Sequence, residues 1–185
     1  RSTPLGNRRL ENVSARIGQM RARLPSLQHR VLTVAIQGNS LRLVLLTRHR
    51  IVNWGHVPFN PAFLRNGFIA NSQGISQVLQ NTLASKGIPR VPATAAFPGF
   101  QGLCRAISLP RTKEIVPREV IPREARRLMA YSEKEHYLFW REAALKPGQF
   151  LVVVVPRAPL QALVETMKLA GLPLRRVELA PLALA

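Results

Sequence analysis

Apolar residues form three short runs between residues 31 and 57. Val31 to Ile36 and Leu41 to Leu46 have strand length, and they flank Gln37-Gly38-Asn39-Ser40, whose glycine and asparagine favour a tight turn. Ile51 to Val57 can form a third strand. The pattern predicts a β-meander.

A helical pattern follows the meander and leads into another strand. From Ser72 onward the apolar residues recur at helical spacing, and Ser85-Lys86-Gly87 ends the pattern. These residues, Ile75, Val78, Leu79 and Leu83, form one face. A further strand, Val91 to Phe97, stops at Pro98-Gly99. The predicted order is strand, strand, strand, helix, strand.

A second unit begins after Gly102. Its predicted elements are a strand over Cys104 to Leu109, a helix with Pro122 in its first turn, strands over Tyr137 to Arg141 and Phe150 to Val155, a helix with Leu160, Leu163, Val164 and Met167 on one face, and a strand over Leu174 to Leu179. The run from Phe150 to Val155 is apolar throughout, as in a central buried strand. The pattern predicts a mixed α/β fold with two subdomains.

The first 29 residues are basic and amphipathic. Five arginines, Arg8, Arg9, Arg16, Arg21 and Arg23, accompany apolar residues at spacings of three and four: Leu10, Val13, Ile17, Met20 and Leu24. This pattern predicts a helix from Leu10 to Leu24 that Pro25 closes. Such a helix can lie on an anionic membrane or dock on a partner, or it can pack on its own domain.

The charge balance is strongly positive, with 27 basic and nine acidic residues and a net charge of +18. This charge favours anionic partners, such as nucleic acid, lipid headgroups or an acidic protein surface, although arginine-rich solvated faces also explain it. All nine acidic residues are glutamates, so the aspartates that usually hold magnesium in nucleotide hydrolases are missing. We therefore expect no catalytic residues.

Metal and disulfide chemistry have little support in the sequence. The four histidines show neither close pairing nor cysteine spacing, so no metal site is expected. Cys104 is the one cysteine, and its apolar neighbours predict a small buried side chain. No apolar run approaches the roughly 20 residues of a membrane-spanning helix. A reducing cytoplasm fits these features best.

A series of local strings resembles the PilM family of type IV pilus assembly proteins, which is related to FtsA and actin. The strings are Val34-Ala35-Ile36-Gln37-Gly38-Asn39-Ser40-Leu41-Arg42-Leu43-Val44, Ala96-Phe97-Pro98-Gly99, Arg105-Ala106-Ile107-Ser108-Leu109-Pro110, Arg123-Glu124-Ala125-Arg126-Arg127 and Ala170-Gly171-Leu172 with Val177 to Leu184. The resemblance implies an actin-like, ribonuclease H-like fold. Residues 1–29 would be the basic arm, 30–102 the first part of subdomain 1A, 103–175 a small inserted 1C subdomain of SHS2-like α+β type, and 176–185 a return into 1A.

The resemblance also implies a partner and a place in the cell. Members of this family lie at the cytoplasmic face of the inner membrane and grip the amino-terminal peptide of a PilN-type membrane protein near the junction of 1A and 1C. Arg123, Arg126 and Arg127 are partner-docking candidates here, although interleaved glutamates also fit an exposed helix face. An anionic membrane surface and a homodimer are further expectations, whereas a nucleic-acid partner is not expected.

The family's first phosphate loop is altered in this chain. The resemblance places Gln37, Gly38, Asn39, Ser40 and Arg42 in that loop, and Ala35 stands where the family has an aspartate. Arg42 keeps a positive charge, so this site implies weak phosphate contact at most. We expect no cofactor, with ATP and magnesium belonging only to a longer protein. The leading expectation is a non-catalytic scaffold; the alternatives are the amino-terminal half of an actin-like ATPase and a charge-driven nucleic-acid binder.

Overall fold

A computed structural model describes residues 30–48, 50–98, 102–110, 116–144 and 146–179. Within these ranges the chain forms two sheets, one of five strands and one of three, together with a two-stranded ribbon and three α-helices. The amphipathic helix predicted for Leu10 to Leu24 lies outside the described residues.

The predicted meander forms one half of the large sheet. Strands β1 (Arg30–Gln37), β2 (Ser40–Thr47) and β3 (Arg50–Pro58) pair antiparallel in sequence order. Gly38 and Asn39 make the turn between β1 and β2, and Gly38 adopts a φ of 55°, a backbone conformation that glycine reaches without steric cost. The two apolar runs thus predicted the strands β1 and β2, and Gly38 and Asn39 predicted the turn that connects them.

Two parallel strands complete the large sheet on the other side of β1. Strand β6 (Ala93–Phe97) runs parallel to β1, and β10 (Leu174–Leu179) runs parallel to β6. The strand order is β10-β6-β1-β2-β3, so β10 and β3 are the edge strands. Between β3 and β6 lie a short 3-10 helix (Pro61–Phe63), the ribbon β4 (Leu64–Arg65) and β5 (Phe68–Ile69), and helix α1 (Ser72–Ser85).

The main core lies on one face of the large sheet, which we call the inner face. Alternate residues of β1 and β2, including Leu32, Val34 and Leu43, are buried there against two helices. Helix α1 contributes Ile75, Leu79 and Leu83, and helix α3 (Arg157–Leu169) contributes Leu163 and Met167. The two helices also pack on each other.

The small sheet has its own core. Strands β7 (Leu103–Ser108), β9 (Lys146–Pro156) and β8 (His136–Ala143) pair antiparallel in that spatial order, with β9 in the centre. Helix α2 (Pro117–Met129) covers one face of this sheet. Six buried residues form this second core: Ile107, Ile121, Ala125, Met129, Val152 and Val154.

Helix α2 differs from its predicted start. It begins at Pro117, and Pro122 lies inside it, whereas the sequence pattern placed Pro122 in the first turn. Either proline could occupy the first turn of a helix. Pro117 does so in the structure, because the residue before it, Val116, has extended dihedral angles and the helix begins after it. The helix ends at Ala130, which adopts a left-handed conformation with a φ of 48°.

Helix α3 belongs to the main core by its packing. Leu163 and Met167 are buried among inner-face residues of the large sheet, and none of the six residues of the second core comes from α3. The division at residue 175 stays a prediction, and the packing of α3 favours a division nearer Pro156. In the part of the chain that the structure describes, no helix has the length and apolar character needed to cross a membrane.

A candidate binding groove between the two sheets

A groove with a volume of about 600 Å³ separates the two sheets. Three consecutive residues of β10, Val177 to Leu179, line one side, and three consecutive residues of β8, Phe139 to Arg141, line the other. Successive side chains of a strand point to opposite faces, so a run of three lining residues means that the groove borders the strand edge. Both strands are edge strands of their sheets.

Strand β9 builds the groove and the second core at the same time. Its even-numbered residues Val152 and Val154 face α2, whereas Val153 and Val155 line the groove. The apolar run from Phe150 to Val155 was therefore correctly predicted to be central, because a strand with two covered faces has no polar alternation. Helix α2 covers one of these faces, and the main core partly covers the other, where Val155 is buried beside the groove.

The groove continues along helix α3. A neighbouring depression of about 500 Å³ shares Phe139, Leu160 and Val164 with the groove and extends toward Lys168. Phe139 is 51% exposed and Val164 is 43% exposed. Val164 was expected on the apolar face of its helix with Leu163, yet it points into this open groove. Large apolar side chains that are exposed next to one another are typical of binding surfaces.

Charged groups lie at the margins of the groove. Arg141 and Glu178 line it, and the Glu178 carboxylate accepts a hydrogen bond of 3.0 Å from Arg176. In the extension, Gln161 donates a hydrogen bond of 3.3 Å to the hydroxyl of Tyr137. The interior is mainly aliphatic and aromatic, so an apolar ligand with a few polar groups fits it best.

The hairpin between β1 and β2 holds the five residues assigned to the altered phosphate loop. Gln37 and Ser40 are opposite each other at its base, and the Ser40 hydroxyl donates to the Gln37 carbonyl at 3.1 Å. Gly38 and Asn39 are exposed at the turn, and Asn39 accepts a backbone hydrogen bond from Phe59. Arg42 is exposed and pairs with Ala35 in the strand register. These five residues therefore include one cation and no carboxylate.

The three arginines proposed for docking lie on α2, away from the groove. Arg123, Arg126 and Arg127 are all exposed on this helix, which covers the face of the small sheet opposite to the groove. Arg127 forms an ion pair of 2.6 Å with Glu124, and Arg126 lies 3.8 Å from Glu133. Such exposed pairs contribute little to stability. The structure does not bring these arginines together with the groove residues.

Two further sequence expectations concern reactive groups. Cys104 is exposed rather than buried, because it lies on a strand at the edge of the small sheet. Partial burial still raises the pKa of its thiol. Among the described residues no group of three or more histidine, cysteine or acidic side chains could hold a metal ion. The arginines Arg8, Arg9, Arg16, Arg21 and Arg23 lie outside the described residues.

The groove residues themselves were missed by sequence reasoning. The apolar groove residues lie in apolar runs that also predict a core strand or a core helix. An apolar residue that lines a groove therefore gives the same sequence pattern as one that is buried in a core. One signal was available: Val164 and Leu160 extend the apolar face of α3 beyond the width that Leu163 and Met167 need for the core. Such a wide apolar face on a helix indicates a contact in addition to the core.

The strand order and the pair of sheets define an actin-like α/β fold. An antiparallel meander extended by two parallel strands, with helices on the inner face, carries the second unit as an insertion between β6 and β10. No protein-family model matches the chain, and curated protein sequences give no match. The similarity to solved structures is therefore one of fold.

Two solved structures superpose well on the chain. A chain of the PilM–PilN type IV pilus biogenesis complex is 20% identical, with a TM-score of 0.71 over 83% of this chain and 48% of its own length. The cytoplasmic domain of EpsL, an inner membrane component of the type II secretion system of Vibrio cholerae, is 13% identical, with a TM-score of 0.61 over 83% of this chain and 58% of its own. The chain thus spans about half the length of each.

Proposed function

We propose that this chain is a non-catalytic scaffold module of a type IV pilus or related secretion assembly platform. It binds the cytoplasmic amino-terminal peptide of a PilN-type membrane protein in the groove between β10 and β8. The observation that carries this proposal is an open apolar groove, about 600 Å³ in volume, in a fold similar to a chain of the PilM–PilN complex.

The shape of the groove suits an extended peptide. Edge strands β10 and β8 border it on both sides, so the backbone of an added segment can pair with a strand edge. Side chains on one face of such a segment can then contact Phe139, Val153 and Val155 of the small sheet and Val164 of α3, all of which line the groove. This arrangement selects apolar residues at every second position of the peptide.

The remaining features support a scaffold rather than an enzyme. The hairpin that corresponds to the phosphate loop holds Ala35 in place of an acidic residue, and no aspartate is present in the chain. Magnesium-dependent phosphoryl transfer needs carboxylates to hold the metal. The net charge of +18 favours a place beside the anionic cytoplasmic face of the inner membrane, where a membrane partner exposes its peptide.

The test is binding of a synthetic amino-terminal peptide from a PilN-type membrane protein, measured by calorimetry or fluorescence anisotropy. Val164→Glu should weaken binding at least tenfold, because it places a charge in the apolar groove. Leu169→Glu is the matched control: Leu169 lies on the same helix and is 44% exposed, against 43% for Val164, but it does not line the groove. The control should bind within about twofold of the unmodified chain.

Two outcomes would overturn the proposal. One is the absence of saturable peptide binding, and the other is equal loss in the Val164→Glu and Leu169→Glu variants. The nucleic-acid alternative is tested on DNA, because contacts to many phosphates lose orders of magnitude in affinity between about 50 and 200 mM salt. Peptide binding in the apolar groove should change little over this range, whereas tight binding of DNA with such a steep fall would support the nucleic-acid alternative.

A further inference from the structure

One end of the large sheet, which we call the basic end, gathers positive charge from several chain segments. Strand β1 begins there, β2 and β3 are joined there, and the parallel strands β6 and β10 begin there because they run in the direction of β1. Helices α1 and α3 end there, since short loops connect them to β6 and β10. The exposed cations of the basic end include Arg30, Arg50, Lys86, Arg90, Lys168 and Arg175.

The strand register brings these cations together. Arg30 pairs with Thr47, and Thr47 pairs with Arg50, so the two arginines lie in one row across β1, β2 and β3. On the other side of β1, Arg90 lies in the loop before β6 and reaches the loop before β10, where a Cβ atom added to Gly171 would lie 3.1 Å from its guanidinium. Neighbouring strands lie about 4.8 Å apart, so five strand ends form a surface about 19 Å wide.

No carboxylate among the described residues pairs with the six cations. The ion pairs of the described residues involve Arg126, Arg127 and Arg176 instead. Glu165 lies one turn before the end of α3, and Glu178 is engaged by Arg176 at 3.0 Å. The carboxyl ends of α1 and α3 each carry a partial charge of about −0.5, which offsets about one cation in total. The basic end thus keeps a large positive excess.

Exposed aliphatic side chains accompany this charge. Three of the six cations are each followed in sequence by such a residue: Val31 (40% exposed), Ile51 (65%) and Leu169 (44%). Cations beside aliphatic side chains match the interface of an anionic bilayer, where phosphate groups lie next to acyl chains. Proteins that hold single-stranded nucleic acid add aromatic rings on which bases stack. Segments 30–31, 46–51, 86–92 and 168–176 contain no phenylalanine, tyrosine or tryptophan, which favours the bilayer.

We propose that the basic end is a docking surface for the phosphate headgroups of an anionic membrane. Its arginines and lysines contact the lipid phosphates, and Ile51 and Leu169 enter the boundary between headgroups and acyl chains. Each cation beside such a surface strengthens binding about fivefold, so several together give measurable affinity. The inference deepens the proposed function, and it rests on that function for the place of the membrane in the assembly.

The groove has a matching orientation. Its extension along α3 reaches Lys168, which belongs to the basic end. A peptide that leaves the groove along this extension therefore emerges beside the surface that we assign to the membrane. This path suits a peptide that continues into a membrane-spanning segment.

Vesicle cosedimentation of the full chain, without any peptide, tests the proposal. Vesicles of phosphatidylcholine alone are compared with vesicles of equimolar phosphatidylcholine and phosphatidylglycerol. One double variant, Arg50→Glu with Arg90→Glu, reverses two charges of the basic end. The matched control, Arg118→Glu with Arg123→Glu, reverses two exposed charges on α2 and changes the net charge equally. The first should bind the anionic vesicles at least tenfold more weakly, and the control should stay within about twofold of the unmodified chain.

Circular dichroism establishes that each variant is folded. The milder pair Arg50→Gln with Arg175→Gln provides a second variant, which should show a smaller loss in the same direction. Peptide affinity should stay unchanged in all three variants, because none of the replaced arginines lines the groove or its extension.

Three outcomes would overturn the proposal. The first is equal vesicle binding by the basic-end variant and its control, and the second is equal binding of the unmodified chain to both kinds of vesicle. The third is loss of DNA binding in the basic-end variant with unchanged vesicle binding, which would assign this surface to nucleic acid. Vesicle binding is measured without peptide and peptide binding without vesicles, so failure of this proposal is distinguishable from failure of the proposed function.

Discussion

The guanidinium of Arg157 lies 4.2 Å from the centre of the Tyr137 ring. Arg157 begins helix α3, and Tyr137 lies near the start of β8, so the contact joins the main core to the small sheet. The Arg157 side chain also donates to the Glu133 carbonyl at 3.1 Å, and its backbone amide donates to the Glu135 carbonyl at 2.8 Å. One residue thus ties two units at the end of the groove.

Replacing Arg157 by methionine should weaken this tie while keeping an unbranched side chain. The variant loses the cation–π contact and one hydrogen bond, so the free energy of unfolding should fall by about 1 kcal/mol. Urea denaturation followed by circular dichroism measures the change. Arg175→Met is the control at an exposed position, and a loss of equal size there would show that the contact has no specific effect.

Pro122 leaves a gap in the hydrogen bonding of α2, because proline has no amide hydrogen for the Arg118 carbonyl. Pro122→Ala restores this donor and should raise the free energy of unfolding by about 1 kcal/mol, a part of the full cost of an interior proline. Pro117→Ala is the matched control, because the first helical position needs no amide donor. An equal gain in both variants would contradict this explanation.

The strands were the most predictable part of the fold. Alternating burial in β1 and β2 follows directly from residues such as Leu32, Val34 and Leu43, and the Gly38-Asn39 turn sets their register. The start of α2 was predicted five residues too late, because Pro117 and Pro122 carry the same local signal and only the surrounding backbone distinguishes them. Local patterns fix the type of an element better than its ends.

The groove was harder to predict because it depends on how two sheets meet. Val153 and Val152 are identical in type and adjacent in sequence, yet one lines the groove and the other packs under α2. The resemblance to pilus proteins pointed to a junction between two units. Arg123, Arg126 and Arg127 were instead proposed from their charge and their position in the second unit, and they lie on the far side of the small sheet. Charge and helical spacing carry no information about which face of a sheet a helix covers.

The pKa of the Cys104 thiol is raised because neighbouring atoms partly desolvate it. The folded chain therefore holds the thiol proton to a higher pH than the unfolded chain. The unfolded state loses its proton first as pH increases, so this group makes the folded state less stable at alkaline pH. The alkylation rate with iodoacetamide should reach its midpoint at a higher pH in the native chain than in urea, and a midpoint at or below the urea value would contradict the shift.

The two cores should respond separately to mutation. Ile121 and Leu79 are both fully buried, the first under the small sheet and the second on the inner face of the large sheet. Truncation of either to alanine removes buried methyl groups and should cost about 2–5 kcal/mol. Hydrogen exchange resolves where the loss occurs, because each segment opens with its own free energy.

In Ile121→Ala, amide exchange should accelerate in β7, β8 and β9 and stay slow in β1 and β2. In Leu79→Ala the large sheet should exchange faster, since α1 no longer holds its inner face. Peptide binding should then fall more in Ile121→Ala, because the small sheet forms one wall of the groove. Uniform acceleration across both sheets in both variants would contradict this prediction. It would mean that the two cores unfold as one unit, so that the groove between them opens only when both cores open.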